Sequence, residues 1–223
     1  YHALLKHPLP EHEWELYALD QRINDRGVRV DRLLVKQAMA VDLAFSRQAF
    51  KRAQELTGLE NPGSVSQLKA WLADMDMPME SLSKRIVQEK ATEAEGIVKE
   101  LLELRLELSK TSIKKYEAMA RTVCRDGRVH GMLQFGGASR TFRWAGRLVQ
   151  LQNVPQNHLP DLRLARDIVK RSDEEQLEML FGSVPNTLSE LIRTAFIPRE
   201  GCRFIVADFS AIEARVLAWL AGE

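Results

Sequence analysis

Residues 203–215 read Arg-Phe-Ile-Val-Ala-Asp-Phe-Ser-Ala-Ile-Glu-Ala-Arg, and this stretch decides which fold the sequence predicts. Phe204–Ala207 is a short apolar run with β-branched residues, which predicts a buried strand. Ser210 is a typical helix N-cap, and Glu213 stands three positions later, as in a capping box. The predicted helix has one apolar face, formed at helical spacing by Ile212, Val216, Trp219 and Leu220. Asp208 therefore falls between a strand and a helix, where a carboxylate is well placed to bind a hard metal ion.

Three motifs in this chain resemble the family A DNA polymerases. Asp208–Arg215 resembles D-Y-S-Q-I-E-L-R, the first palm motif of that family. Upstream, Leu151–Pro155 resembles L-Q-N-I-P, and Ile192–Phe196 resembles I-R-x-A-F. A lone D-x-S-x-x-E is more often a strand-end acid followed by a capping acid, but three motifs in the family's order form a specific signal. The sequences of these motifs resemble the phage branch of the family more than the bacterial repair enzymes.

The resemblance gives the last motif its chemistry. In the family, the motif aspartate, here Asp208, bridges two Mg²⁺ ions, and the carbonyl of the next residue, here Phe209, binds the ion of the incoming nucleotide. Glu213 resembles the residue that lies under the sugar and excludes a 2′-hydroxyl, so it is expected to select deoxynucleotides. Ala211 replaces the usual glutamine of the motif.

Residues 140–147, which precede the Leu151–Pro155 motif, are rich in arginine and aromatic residues. From the residues alone, such a cluster indicates either nucleic-acid binding or a stabilised surface strand. Counting back from Gln152, Arg143 falls on the arginine of the family's T-G-R, which implies a catalytic role in the minor groove at the primer terminus. Phe142 stands where the family has glycine, although phenylalanine resists the backbone angles that glycine permits. Further expected DNA contacts are Arg147, Gln152 and Asn153.

A second expected DNA contact is Ser109–Tyr116, which resembles the thumb segment that lies along the DNA backbone. Its short hydroxyls and ammonium groups suit phosphate oxygens, and they belong to Lys110, Thr111, Ser112, Lys114 and Lys115. Without the resemblance, three lysines on a helix more often form a solvated face.

Whole-chain composition carries little functional signal. The 223 residues suffice for one large domain or two small ones, and the net charge is +1, so any DNA contact must come from local clusters. No apolar run is long enough to span a bilayer and no signal peptide opens the chain, so no membrane partner is expected. Cys124 and Cys202 lack C-x-x-C spacing, which favours reduced core thiols and a cytoplasmic protein.

The predicted fold class is α+β, mostly α, with long antiparallel thumb helices followed by a partial palm that contains a small antiparallel sheet. Residues 1–30 are expected to form a linker and a lead-in helix (11–24), residues 31–125 the thumb, and residues 126–223 the first half of the palm, with a helical insertion near 157–186. Within the thumb, periodicity predicts a helix capped by Asp31 and ended by Gly58, a helix capped by Ser64, and a second long helix over 92–121. Within the palm it predicts a strand over 128–135 and turns at 136–137 and 198–201.

The expected function is therefore part of a template-directed DNA polymerase that adds dNTPs to a primer 3′-hydroxyl. Its partners would be primer–template DNA, dNTPs, and the fingers and remaining palm. The fingers segment is not found, and no histidine precedes an aspartate, as the second metal-binding aspartate of the family would require; the histidines are His2, His7, His12, His130 and His158. The fragment alone is therefore expected to be inactive. Two alternatives remain: a non-catalytic DNA-binding module, and a helical accessory protein that binds a protein partner.

Overall fold

A computed structural model describes residues 9–110 and 113–222. Within these ranges the chain is mostly helical with a small antiparallel sheet, so the predicted α+β class is confirmed. The helices are α1 (Glu11–Arg26), α2 (Arg32–Thr57), α3 (Val65–Asp74), α4 (Lys84–Glu93), α5 (Gly96–Leu108), α6 (Lys114–Thr122), α7 (Leu162–Arg171), α8 (Glu174–Phe181), α9 (Val184–Leu191) and α10 (Ile212–Ala221). The strands are β1 (Val28–Val30), β2 (Arg128–Val129), β3 (Leu133–Gln134), β4 (Ala145–Gly146) and β5 (Phe196–Ile197).

The first long helix, α2, begins and ends where the sequence predicts. The Asp31 side chain accepts a hydrogen bond from the Leu34 N–H at 3.1 Å, so it caps the helix N-terminus. Gly58 ends the helix in the left-handed conformation. The predicted lead-in helix is also confirmed as α1. Ser64 occupies the N-cap position of α3, as predicted, although its side chain makes no capping hydrogen bond.

The second long helix predicted over 92–121 is wrong, because the chain breaks there into separate helices. α4 ends at Glu93, Ala94 is extended, and Gly96 begins α5 with a φ of 58°. α5 ends at Leu108 and α6 begins at Lys114. A glycine at positive φ adopts a conformation that a continuous helix cannot contain, which explains the break before α5.

The predicted thumb has two arms, α2 and the pair α5 and α6, and these arms run antiparallel, as predicted. Near the end of α2, Arg52 Nε donates to Glu100 Oε1 at 2.6 Å, close to the start of α5. Near the start of α2, Val35 and Met39 line a cleft with Met119 of α6. Residues late in α2 thus face residues early in the second arm, and the reverse holds at the other end.

The strand predicted over 128–135 is wrong as a single element. β2 pairs with β1, which also pairs with β5, so one antiparallel sheet has the order β2-β1-β5. β3 pairs instead with β4 in a separate two-stranded sheet. Gly131, with a φ of 66°, lies between β2 and β3 and redirects the chain from one sheet to the other. The turns predicted at 136–137 and 198–201 are confirmed by hydrogen bonds from Gly137 N to Gln134 O and from Cys202 N to Arg199 O.

The segment near 157–186 is helical, as predicted, and its helices pack into the main core rather than standing apart from it. Ile168 and Leu177 are fully buried there together with Leu34 of α2. A second core, under α3, α4 and α5, includes Leu72 and Leu102. The prediction that both cysteines are core thiols is wrong: they are free, as expected, but Cys124 and Cys202 are exposed because each lies in a surface segment outside a helix or strand.

No helix in the described ranges combines the length and the apolar composition needed to cross a bilayer. The expected linker at residues 1–8 and the expected DNA contacts Thr111 and Ser112 lie outside the described residues. The domain boundaries remain predictions.

Candidate metal and nucleic-acid site

The strand predicted before Asp208 is wrong. Phe204–Ala207 belongs to no strand, and the side chains of Ile205 and Val206 are each 88% exposed. In the described part of the chain, the backbone of this run has no neighbouring strand to which it hydrogen-bonds. β-Branched composition favours an extended backbone, but a strand forms only where another edge completes its hydrogen bonds.

The capping box predicted at Ser210 and Glu213 is also wrong. The helix itself is confirmed as α10, but its N-cap is Ala211, whose φ of 51° is left-handed and whose side chain cannot cap. The Ser210 carbonyl instead accepts a hydrogen bond from Arg215 Nε at 2.9 Å. The predicted apolar face of α10 exists in sequence but is not buried; Trp219 is 73% exposed.

Asp208 has carboxylate oxygens that face solvent. Its Oδ1 accepts a hydrogen bond from the Phe209 N–H at 2.9 Å, and its side chain is exposed. Carboxylate and carbonyl oxygens are the donors that Mg²⁺ prefers, so Asp208 and the Phe209 carbonyl fit that ion in kind. Among the described residues, no three His, Cys, Asp or Glu side chains lie together as a metal site. Further ligands must therefore join these two before the ion is held.

Arg143 and Glu213 approach each other although they are far apart in the sequence. Arg143 Nη2 lies 3.9 Å from Glu213 Oε1, and the two side chains are 71% and 86% exposed. An ion pair this long and this exposed contributes little to stability. Both charged groups therefore remain available to a ligand, and the structure brings two of the three predicted catalytic residues to one place at the start of α10.

Phe142, the residue in the position of the family's glycine, has a φ of 53°. It thus adopts the left-handed backbone for which glycine is favoured, and the expected turn persists. One glycine and one aromatic contact hold its ring: the ring lies over Gly136, where an added Cβ would come within 2.4 Å of it, and it meets Phe135 edge-on at 5.3 Å. Arg143 therefore leaves the turn in the direction that this strained residue sets.

Two polar residues of α1, the buried Asp20 and the half-buried Asn24, fix the same region, and sequence reasoning missed both. Asp20 is only 2% exposed, and its Oδ1 accepts a hydrogen bond from Trp144 Nε1 at 2.8 Å. The Asn24 side chain accepts from the Leu133 N–H at 3.0 Å and donates to the Leu133 carbonyl at 2.9 Å. The partners are more than a hundred residues apart in the chain, so no local pattern signals these bonds.

The two upstream motifs, Leu151–Pro155 (the first in the chain) and Ile192–Phe196 (the second), contact each other directly. Arg193 of the second motif donates through Nη2 to the Val154 carbonyl at 2.9 Å and through Nε to the Pro155 carbonyl at 3.4 Å, both in the first motif. The first motif forms a 3₁₀ turn over Leu151–Asn153. These bonds fix the backbone of the first motif against the helical core.

Gln152 and Asn153 lie exposed on that 3₁₀ turn. The amide of Gln152 rests against the backbone of Gly146, where a Cβ would come within 1.9 Å of it. Asn153 Nδ2 donates to Gln150 Oε1 at 3.3 Å, and Arg147 is exposed, with its backbone N–H bonded to the Met132 carbonyl at 2.8 Å. The three predicted DNA contacts in this segment are thus solvent-accessible.

The three lysines of the predicted thumb segment have different surroundings. Lys114 is exposed on α6. Lys115 Nζ donates to the Val149 carbonyl at 2.8 Å, and Lys110 Nζ bonds to Asn186. Burial lowers the pKa of both Lys110 and Lys115. Lys114 is therefore the one of these three whose ammonium is free of such bonds in the described part of the chain.

The chain belongs to the family A DNA polymerases: the model of DNA polymerase family A matches residues 36–223. The chain is 54% identical over 214 residues to the DNA polymerase of Bacillus phage SP02, an alignment that covers 96% of this chain and 33% of that protein. It is 30% identical over 231 residues to DNA polymerase I of Pseudomonas aeruginosa, covering 96% of this chain and 21% of that protein. The chain thus spans a third or less of these relatives. No solved structure matches it.

Proposed function

We propose that this chain is the thumb and the first half of the palm of a template-directed DNA polymerase, which transfers deoxynucleotides to a primer 3′-hydroxyl. The observation that carries the proposal is the meeting of Arg143 and Glu213 beside the Asp208 segment. These residues come from two motifs some seventy positions apart, and a helical module without this chemistry has no need to join them. The contact of Arg193 with the first motif supports the same reading.

Each site residue has one task in the proposed mechanism. Asp208 and the Phe209 carbonyl would hold Mg²⁺, which activates the 3′-hydroxyl and neutralises the triphosphate when bound. Glu213, at the first turn of α10, would exclude a 2′-hydroxyl. Arg143 donates to the acceptors that every correct base pair presents alike in the minor groove, so it reports pairing geometry without selecting a sequence.

DNA grip is assigned to the exposed residues around this site. Lys114 of α6 and Arg147 present free donors to phosphate oxygens, and Gln152 and Asn153 lie exposed as further contacts. Lys110 and Lys115 are proposed as weaker contacts, because each must first leave its partner within the chain. A polymerase acting on cellular DNA and dNTPs would work in the cytoplasm.

The exposed apolar residues of α10 favour a protein neighbour. Leu217, Trp219 and Leu220 are each about 70% exposed, and they adjoin the unpaired run 204–207. The accessory-protein alternative requires such a surface on the thumb helices, whereas this one lies beside the candidate catalytic acid. We propose that the remaining palm of the polymerase covers it and supplies the missing strand edge.

The test is single-turnover incorporation of a deoxynucleotide and a ribonucleotide by the complete protein, with duplex affinity measured alongside. Asp208→Asn should abolish fast incorporation and leave duplex affinity within about twofold, because phosphate contacts carry the binding. Glu213→Ala should lose discrimination against the ribonucleotide, and Lys114→Ala should weaken duplex binding. Asp167→Asn, at an exposed acid of α7, is the matched control and should match wild type. Wild-type incorporation by Asp208→Asn would refute the active-site assignment.

A further inference from the structure

Five arginines surround one cleft that none of the three motifs explains. The cleft borders the three-stranded sheet and has a volume of about 540 Å³. We call it the arginine cleft, and its charged lining residues are Arg26, Arg29, Arg128, Arg199 and Arg203. These side chains come from the end of α1, from β1 and β2, and from the turn after β5.

The strand register places two of these charges directly opposite each other. Arg29 of β1 pairs with Arg128 of β2, so both side chains lie on the same face of the sheet. Val30 and Val129 are buried on the core side, which leaves the arginine pair on the outer face. Like charges directly opposite destabilise a sheet, so this arrangement costs stability unless an anion offsets the repulsion.

The cleft also lacks compensating acids. In the described part of the chain, none of the five guanidinium groups forms an ion pair with a carboxylate. Arg128 Nη1 donates to the carbonyls of Arg26 and Gly27 at 3.2 and 3.1 Å, which closes the end of α1. Asp126 forms no ion pair with Arg128 and does not line the cleft; hydrogen bonds from the Arg128 N–H and then from His130 lower its pKa, and the Arg128 charge adds to the effect.

We propose that the arginine cleft binds the backbone phosphates of single-stranded DNA, at a site separate from the primer–template site. Guanidinium groups match phosphate oxygens in geometry and keep their charge at every physiological pH. Phe204 lines the same cleft, and an aromatic ring at this place can stack on an unstacked base, which a duplex does not present. A strand of several phosphates also matches a set of charges spread over four chain segments better than a single small anion does.

The test compares two triple variants of the complete protein that lose the same charge. The cleft variant carries Arg29→Gln, Arg199→Gln and Arg203→Gln; it retains Arg128, whose bonds close α1. The control carries Arg22→Gln, Arg47→Gln and Arg163→Gln, at exposed arginines elsewhere on the surface. Both proteins are saturated with an unlabelled primer–template hairpin, and binding of a labelled oligothymidylate is followed by anisotropy over a salt series.

The cleft variant should lose at least tenfold in affinity at low salt, and its salt dependence should flatten by a slope of about 2, since each lost phosphate contact on a single strand removes about 0.7. The control should stay within about twofold of wild type. Equal losses in the two variants would overturn the site, and displacement of the oligothymidylate by an equimolar amount of inorganic pyrophosphate would overturn the strand as its ligand. Failure of the proposed polymerase function shows separately, as a wild-type protein that does not extend the hairpin.

Two further results keep the outcome decisive. Arg29→Gln alone should raise the urea concentration at the unfolding midpoint or leave it unchanged, because it removes a like-charge cross-strand pair. A lowered midpoint would contradict the idea that Arg29 is kept at a cost for binding, and a cleft variant that unfolds like wild type excludes misfolding as the cause of lost affinity.

Discussion

The backbone strain at Phe142 can be measured by comparing alanine with glycine at that position. The left-handed conformation costs a non-glycine residue about 1–2 kcal/mol, and Phe142 adopts it with a φ of 53°. Its ring offsets part of this cost through the edge-on contact with Phe135, a kind of pair worth about 0.5–1.5 kcal/mol. The two substitutions remove the same ring but differ in whether the strain remains.

Phe142→Ala should therefore destabilise the protein, because alanine loses the ring contact and keeps the strained backbone. Phe142→Gly loses the same contact but relieves the strain, at a cost of about 0.4–1 kcal/mol in the entropy of the unfolded chain. We expect the glycine variant to be more stable than the alanine variant by about 1 kcal/mol, measured as the free energy of unfolding in urea.

Thr141 provides the control, since its φ is not positive. There the order should reverse, with Thr141→Gly less stable than Thr141→Ala by about 0.5–1 kcal/mol, because glycine only loses entropy at an ordinary backbone position. If Phe142→Gly is no more stable than Phe142→Ala, the left-handed turn before Arg143 is absent in solution, and the assigned direction of Arg143 fails with it.

Three further predictions concern groups that hold the core and the sheet together. Tyr116→Phe should lower the free energy of unfolding by about 1–3 kcal/mol, because the buried Tyr116 hydroxyl donates to the Leu188 carbonyl at 2.7 Å and its removal leaves that carbonyl unpaired; urea unfolding with an unchanged m value would show this. Burial alone would raise the pKa of Asp31, but hydrogen bonds from the Lys170 ammonium and the Leu34 N–H and the charges of Lys170 and Arg166 lower it below 3.8. Asp31→Asn should therefore cost stability at neutral pH, and this cost should vanish as pH falls through the lowered pKa. The hydrogen bond to Asp126 raises the pKa of His130 above 6.5. The charged imidazolium therefore stabilises the fold below pH 6.5, and this contribution is lost as pH rises through the raised pKa. His130→Gln should flatten this part of the curve of urea midpoint against pH.

Local sequence signals were sufficient where one segment decides its own structure. The cap at Asp31 and the left-handed stop at Gly58 bound α2 as predicted, because both depend on residues within one turn of the helix. The same holds for α1 and for the turn at Gly201. The second arm was wrongly predicted as one helix because its apolar stripe continues through a backbone break. Gly96 marks that break, but a prediction from hydrophobic periodicity alone does not take account of it.

The residues of the candidate site were likewise predictable only where the local sequence carries the signal. Resemblance to the family identified Asp208 and Glu213 in one motif and Arg143 by its spacing from another, and the structure brings Arg143 and Glu213 together. Asp20 and Asn24 could not be found from the sequence, because they bond to Trp144 and Leu133, each more than a hundred positions away. Polar residues that bond over such distances have no periodic signature, although leaving a buried group such as the Asp20 carboxylate unpaired would be costly.

The apolar run before Asp208 shows why composition and position can disagree. Phe204–Ala207 has the residues of a buried strand, yet Ile205 and Val206 are almost fully exposed, and the leucines and the tryptophan of α10 are about 70% exposed. Burying one such side chain is worth about 1.5–3 kcal/mol, so several together strongly favour any neighbour that covers them and offers a hydrogen-bonding edge. We therefore expect the run to form a strand only against a tertiary partner, and we expect the orientation of Asp208 to follow from that pairing. The carboxylate of Asp208 can be identified from the local sequence, but its geometry would depend on the strand that completes the sheet.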